Sequence, residues 1–223
     1  MTPDNSDLSI AWKKSRSGAR AGRGFHYQYL VSVALLIRQW AGLFPTAYIV
    51  PEGLDDCVIE LEEHEIWVQI KSKESGIFGK TEVEKHLDKI DSQVASSGSK
   101  KKIYTSIVLE QPRPGAKEKG VDNIFDQLTR NVIWFNDPLE DAIQNVVSTL
   151  QVVDVIAEGI ISDLYFLVAR YSAENRPSSY RERRRISVSE VEFRINERLE
   201  ADVIPPFITA VISRGFKPLS TSA

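Results

Sequence analysis

Cysteine is almost absent from the 223 residues, with Cys57 standing alone. A single thiol excludes an internal disulfide and any zinc site built from several cysteines. Histidine is scarce too: His26, His64 and His86 have no mutual spacing that suggests a metal triad, and surface or capping roles are expected for them. No apolar run reaches the roughly 18 residues needed for a membrane-spanning helix. The start of the chain, MTPDNSDLSIAWKK, lacks the basic-then-apolar layout of a secretory leader. No nucleophile elbow is present, and the GRG at Gly22–Gly24 follows no strand, so it is not a nucleotide fingerprint. Charge is nearly balanced: 28 Lys+Arg against 31 Asp+Glu leave −3, and no global field favours nucleic acid. These absences point to a cytoplasmic protein with no membrane partner.

What remains is a chain with 42% hydrophobic residues, enough to bury a sizeable core in one large domain. Its cations are clustered. Lys13, Lys14, Arg16, Arg20 and Arg23 precede the first apolar segment, Lys100 to Lys102 form a triplet, and Arg181, Arg183, Arg184 and Arg185 crowd YRERRRIS. Such clusters can track phosphates on an acidic molecule, or simply be solvated loops. Residues 1–24 read as a basic arm with a flexible approach, SGARAGRG. A helix is expected over Phe25–Trp40, an edge strand at TAYIVPE, and two alternating strands at DDCVIEL and EIWVQIKSK. A helix follows, with Thr81 and Glu84 as a capping box and Val83, Leu87, Ile90 and Val94 on one apolar face. IYTSIVLE is a further strand. The remainder reads as helical: VDNIFDQLTRNVIWF, a segment from Pro138 towards Leu150, DVIAEGIISDLYFLVARY, a helix opened by a Ser187–Glu190 capping box, and a last short one after Pro205 and Pro206.

The two alternating strands constrain each other. Cys57, Ile59 and Leu61 are apolar on the first, and Ile66, Val68 and Ile70 on the second. Opposed residues share a face, so hiding both sets together requires paired numbers with an odd sum. A turn at Glu63-His64 would pair Leu61 with Ile66, Ile59 with Val68 and Cys57 with Ile70. The other face would then pair Asp56 with Lys71 and Val58 with Gln69. Asp56, Gln69 and Lys71 therefore share the face opposite the apolar one. A solvent-exposed cross-strand ion pair, worth about 0–1 kcal/mol, is the bland account. Trp67 and Val58 on the same face argue for cover, and Gln28, an amide among apolar helix residues, needs a hydrogen-bonding partner.

Asp56 followed by Gln69-Ile70-Lys71 resembles the signature of PD-(D/E)XK nucleases, with glutamine at the usual acidic position. GRGFHYQYLVSVALLI, PEGLDDCVIEL and WVQIKSK together resemble the double-stranded DNA endonuclease domain of bacterial anti-phage effectors, of the CBASS and Lamassu types. The resemblance covers Gly22 to about Leu109. It implies an α/β (α+β) fold with a restriction-endonuclease-like αβββαβ core over 25–111 and a helical part over 120–223, a nuclease domain of 25–223 in all. It also implies Mg²⁺, or Mn²⁺, held by Asp56, Gln69 and the Ile70 carbonyl, with Lys71 orienting water or stabilising developing charge. Gln28 would position. Glu52 would be a second carboxylate or merely a turn residue after Pro51. Lys13, Lys14, Arg16, Arg181, Arg183 and Arg184 would grip double-stranded DNA. The resemblance also implies a sensor half, for which 223 residues leave no room: the chain would be a domain of a longer effector, a stand-alone subunit that borrows a regulator, or a crippled relative, with a regulatory subunit or domain and homo-oligomerisation switching it on. A nuclease fold that no longer cuts, serving as a DNA- or protein-binding module, is the alternative, and RNA as substrate a third.

Overall fold

The computed structural model describes residues 5–51, 56–73, 76–96, 100–111, 128, 132–173 and 184–201; for residues 5–21 and Ser96 it describes the backbone only. Helix α1 runs over Asn5–Trp40. It thus begins twenty residues before the expected Phe25, through the stretch read as a flexible approach. Alanine, lysine and arginine are good helix formers, and they carry the backbone past three glycines that each cost about 1 kcal/mol. Residues 31–39 of α1 are all buried, as an apolar run of that density demands.

Strands β1 (Tyr48–Pro51), β2 (Cys57–Glu60) and β3 (His64–Lys71) form an antiparallel meander. Helix α2 (Lys80–Ser96) then crosses to β4 (Lys102–Leu109), which lies parallel to β3. Strand β5 (Val132–Trp134) adds to β4, again in parallel, giving the order β1-β2-β3-β4-β5. Helices α3 (Pro138–Leu150), α4 (Asp154–Ala173) and α5 (Val188–Ala201) complete the described chain. Among the described residues, this mixed five-stranded sheet with five helices and a helical C-terminal part is consistent with a restriction-endonuclease-like core.

The face assignment from alternation is correct. Cys57, Ile59, Ile66, Val68, Ile70 and Val108 enter the large core shared with α1, α3, α4 and α5. Val58, Trp67, Ile107 and Leu109 lie on the other face, beneath Phe78, Val83 and Ile90 of α2 and its approach. The register is not the expected one. Cys57 pairs with Val68, Val58 with Trp67, Ile59 with Ile66 and Glu60 with Glu65. The turn falls on Glu62-Glu63, closed by the Leu61 N–H donating to the His64 carbonyl at 2.9 Å. A slip of two residues keeps every side chain on its face, so core burial cannot distinguish the two registers.

Three further expectations change. VIW, taken as the end of a helix, is β5, because β4 offers it a parallel partner. The Thr81–Glu84 box does not form: α2 begins at Lys80, and the Glu82 and Val83 N–H groups donate to the Gly79 carbonyl. The Ser187 box forms by half. Ser187 Oγ accepts from Glu190 N at 3.1 Å, whereas the Glu190 carboxylate accepts from the Tyr171 hydroxyl at 2.9 and 3.0 Å. The helix expected after Pro205 and Pro206 lies outside the described residues.

Candidate active site

The sheet places Asp56 directly before β2 and Lys71 at the end of β3, so both stand at one end of the antiparallel pair. Continued by one residue, the observed register brings Asp56 level with Gln69. The carboxylate reaches past it. Asp56 Oδ2 accepts the Ile70 backbone N–H at 2.7 Å and the Lys71 ammonium at 3.3 Å. Hydrogen bonds to an ionised acceptor are short and strong, so the Ile70 amide fixes where this oxygen sits. The side chains are 25% exposed for Lys71 and 17% for Asp56, enough burial to hold geometry and enough opening for a ligand.

Gln69 is 1% exposed and packed on the α2 face beside Trp67 and Ile107. Gln28 is half-buried on α1, and its Oε1 is shielded from solvent with no hydrogen-bond partner. An orphaned buried acceptor of that kind usually marks a place for water, an ion or a ligand. No contact brings Gln28 to Asp56 or Lys71 among the described residues. Glu52 lies outside the described residues, as do Arg181 and Arg183; Lys13, Lys14 and Arg16 lie on α1, where only the backbone is described.

Sequence reasoning passed over the α2 side of this site. Lys73, two residues beyond Lys71, donates to Glu82 Oε2 at 2.5 Å and to the Ile77 carbonyl at 3.2 Å, with its ammonium 4.5 Å from the Phe78 ring centroid. This staple brings the first turn of α2 over the end of β3. The Lys73 hydrogen bond holds the Glu82 carboxyl below its ordinary value. His86, one turn on, lies close enough to feel both Lys71 and Asp56. Burial first, and the Lys71 charge second, push its imidazole below the ordinary value, against the pull of Glu82 and Asp56. Glu82 and His86 flank the apolar Val83–Leu87–Ile90 face at i and i+4. That spacing was a usable signal that they border the strand beneath.

On the α1 side, Glu110 donates its N–H to the Lys71 carbonyl at 3.0 Å. Its carboxylate takes both hydrogen bonds from one Arg23 nitrogen, at 3.0 and 3.1 Å. Tyr27 donates to the Phe135 carbonyl at 2.5 Å, and burial, with Glu110 nearby, raises its hydroxyl far above the ordinary range. The basic clusters elsewhere are partly spent on structure. Arg185 pairs with buried Glu60 at 2.5 Å and lies over Tyr48, and Lys101 donates to the Leu61 carbonyl at 2.6 Å. Both contacts are at the sheet end away from Asp56, and half-buried Arg184 adjoins Arg185 there. Cys57 is fully buried and belongs to the apolar core, as expected of an inert thiol.

Neither a family model nor a curated protein matches the chain. Solved structures do. The Acinetobacter baumannii Cap4 SAVED/CARF-domain containing receptor, solved with the cyclic trinucleotide 2'3'3'-cAAA, aligns at a TM-score of 0.52 and 15% identity, over 80% of this chain and 46% of that one. The fold resembles Cap4. A further structure of the Acinetobacter baumannii receptor aligns equally well, at 0.52 and 15% identity over 80% of this chain and 47% of that one. The Moraxella osloensis Cap4 receptor gives 0.50 and 14%, over 80% and 48%. The chain spans less than half the length of these Cap4 receptors. At such identities the likeness is one of fold.

The described residues hold no group of three or more His, Cys, Asp or Glu side chains suited to a metal. A divalent cation nevertheless fits in the looser sense. Mg²⁺ keeps several waters and is commonly held by one or two carboxylates together with substrate phosphates. Asp56 meets that requirement, since both of its hydrogen bonds fall on Oδ2. No helix of the described residues is long and apolar enough to cross a membrane.

Proposed function

We propose that the chain is a metal-dependent endonuclease acting on double-stranded DNA, the destructive arm of an anti-phage defence system of the cytoplasm. The supporting observation is the convergence of the Ile70 N–H and the Lys71 ammonium on Asp56 Oδ2 at a partly exposed sheet end, within a Cap4-like fold. Asp56 and the Ile70 carbonyl would hold Mg²⁺ or Mn²⁺, with the Gln69 amide oxygen completing the set; the cation would supply Lewis-acid stabilisation of phosphate charge. The remaining work falls to the chain. The Ile70 N–H orients the Asp56 carboxylate. The Lys71 ammonium, anchored on that carboxylate, orients a water or meets charge developing on the phosphate, where a fixed cation in a partly dry site counts most. Gln28 would position, and Glu52 would add a carboxylate. Lys13, Lys14, Arg16, Arg181, Arg183 and Arg184 would contact the backbone without reading sequence.

Always-on cleavage would be harmful, so activation by a regulatory partner or domain, together with oligomerisation, accompanies the proposal. The likeness to receptors of about twice the length motivates this. The test is supercoiled plasmid incubated with Mg²⁺ or Mn²⁺ and the protein, alone and with its regulator. Loss of nicking in Asp56→Ala and Lys71→Met, with wild type active, is the expected outcome.

The burial of Gln69 favours a second possibility, a nuclease fold that binds DNA or protein without cutting. An amide at 1% exposure is placed for packing as much as for ligation. Gln69→Glu separates the two. Should wild type and Gln69→Glu both fail on DNA and on RNA, with either metal and the regulator present, the binding role stands.

A further inference from the structure

We infer that an aromatic strip on the α1–α4 surface is a stacking platform for unpaired bases of single-stranded nucleic acid. Phe25, His26 and Tyr29 of α1 meet Tyr165 and Phe166 of α4. The Phe25–Tyr29 centroids are 6.5 Å apart, Tyr29–Tyr165 5.6 Å, His26–Tyr165 5.4 Å and Tyr165–Phe166 6.1 Å. His26 Nδ1 and the Tyr165 hydroxyl are 3.0 Å apart and hydrogen-bonded, which locks the middle of the strip. Its two ends are open: Phe25 is 48% exposed and Phe166 68%. Five linked rings with both terminal rings in solvent form a contiguous exposed aromatic patch, the kind of surface that marks an interaction site.

Charge selects the occupant. From Leu8 to Pro51 the sequence has no acidic residue, while Lys13, Lys14, Arg16, Arg20 and Arg23 all fall between residues 13 and 23. The helix is continuous from Asn5 to Trp40, so this cationic stretch runs directly into Phe25 and His26 on the same rod. On the far side, Phe166 borders a groove of about 370 Å³ in which Arg194 pairs with Glu197 at 2.9 Å and Arg198 with Asp163 at 3.5 Å, with Arg170 beside them. Aromatic faces adjoining a cationic tract are the composition of single-strand binding surfaces, where bases stack and phosphates find cations. The cations from Lys13 to Arg23 all precede the buried part of the helix, Val31–Gln39, and adjoin the exposed rings in sequence. Duplex DNA, with its bases stacked inside, would use the cations and leave the rings idle.

Arg23, two residues before Phe25 on α1, holds Glu110, whose N–H is bonded to the Lys71 carbonyl. Residues two apart do not share a helix face, so the strip is a surface separate from that contact. The binding does not depend on the nuclease proposal.

The test uses the full chain as Lys71→Met in EDTA, so that no cleavage intervenes, with fluorescence anisotropy on an oligothymidylate of about 20 nucleotides and on a blunt duplex of the same length. Phe25→Ala and Phe166→Ala each remove one exposed ring and leave the core intact, which circular dichroism verifies. Each should weaken oligothymidylate binding by about 5- to 100-fold, and duplex binding by less than about twofold. Equal losses on both probes, or no loss on either, would overturn the platform while leaving the Lys71 cleavage assay untouched. Phe166-dependent self-association in light scattering, without any change in oligothymidylate affinity, would instead make the strip a protein interface and also overturn it.

Discussion

Replacing Lys71 by methionine separates two explanations of one ion pair. If Lys71 and Asp56 were only a partly exposed cross-strand bridge, losing the ammonium would cost about 0–1 kcal/mol of stability and no specific activity. The exposures of 25% and 17% put the pair near the surface end of the scale, and the Ile70 N–H still satisfies the Asp56 oxygen after the change. Stability should therefore fall little. Catalysis should fall far more. A single fixed donor facing charge that develops in the transition state is worth about 2.7–4 kcal/mol, or about 10²–10³-fold in rate. The assay is initial nicking of supercoiled plasmid by the activated protein, read beside a thermal melt of the same preparation. Asp56→Asn should lose a similar factor, and the double variant scarcely more, since the two groups act as a unit. Nicking that survives in Lys71→Met within a few fold, or that declines only as far as the melt predicts, would refute the reasoning.

Three more outcomes are expected of the same structure. Arg38 is 5% exposed and forms a two-pronged pair with Asp141, one arm at 2.8 Å. Arg38→Ala should destabilise by about 3 kcal/mol in urea melts by leaving the partly buried Asp141 carboxylate with only Asn145 as donor, and Arg38→Met with Asp141→Leu should recover most of it. Ser187→Ala removes the acceptor for the Glu190 N–H and should cost about 0.5–2 kcal/mol, seen in the same melts as a lower midpoint with unchanged slope. The His86 imidazole is depressed below its ordinary 6.5 in the folded chain. Above that pH both folded and unfolded forms are neutral there and nothing is lost. As pH falls through and below it the unfolded chain protonates first, and the folded state loses relative stability. Wild type should thus lose melting temperature more steeply than His86→Gln between pH 7.5 and about 5, in buffer with EDTA; parallel curves would remove His86 from that account.

Legibility in the sequence followed the range of the interactions. Alternation in DDCVIEL and EIWVQIKSK is a property of adjacent residues, and it named the face on which Asp56, Gln69 and Lys71 stand. The α2 stripe of Val83, Leu87, Ile90 and Val94 was legible for the same reason, and so was Ser187 as a cap. By contrast VIW is three apolar residues, too short to reveal a period, and its strand identity comes from β4 alongside. Arg23 and Glu110 are 87 positions apart, and no spacing rule links them.

The order of residues by itself determined which side chains hide and which carboxylate and ammonium share a face, because a strand's side chains must alternate whatever it pairs with. It left open how far one strand slides along the other, since every even slip buries the same groups. The tertiary structure decided that: a turn at Glu62-Glu63, and an Ile70 amide that draws the Asp56 carboxylate towards Lys71. It also decided what surrounds the pair, bringing Glu82 and His86 in from α2 and Arg23 in from α1. Those neighbours come from distant segments, and only the packing of helices on both faces of the sheet sets them side by side.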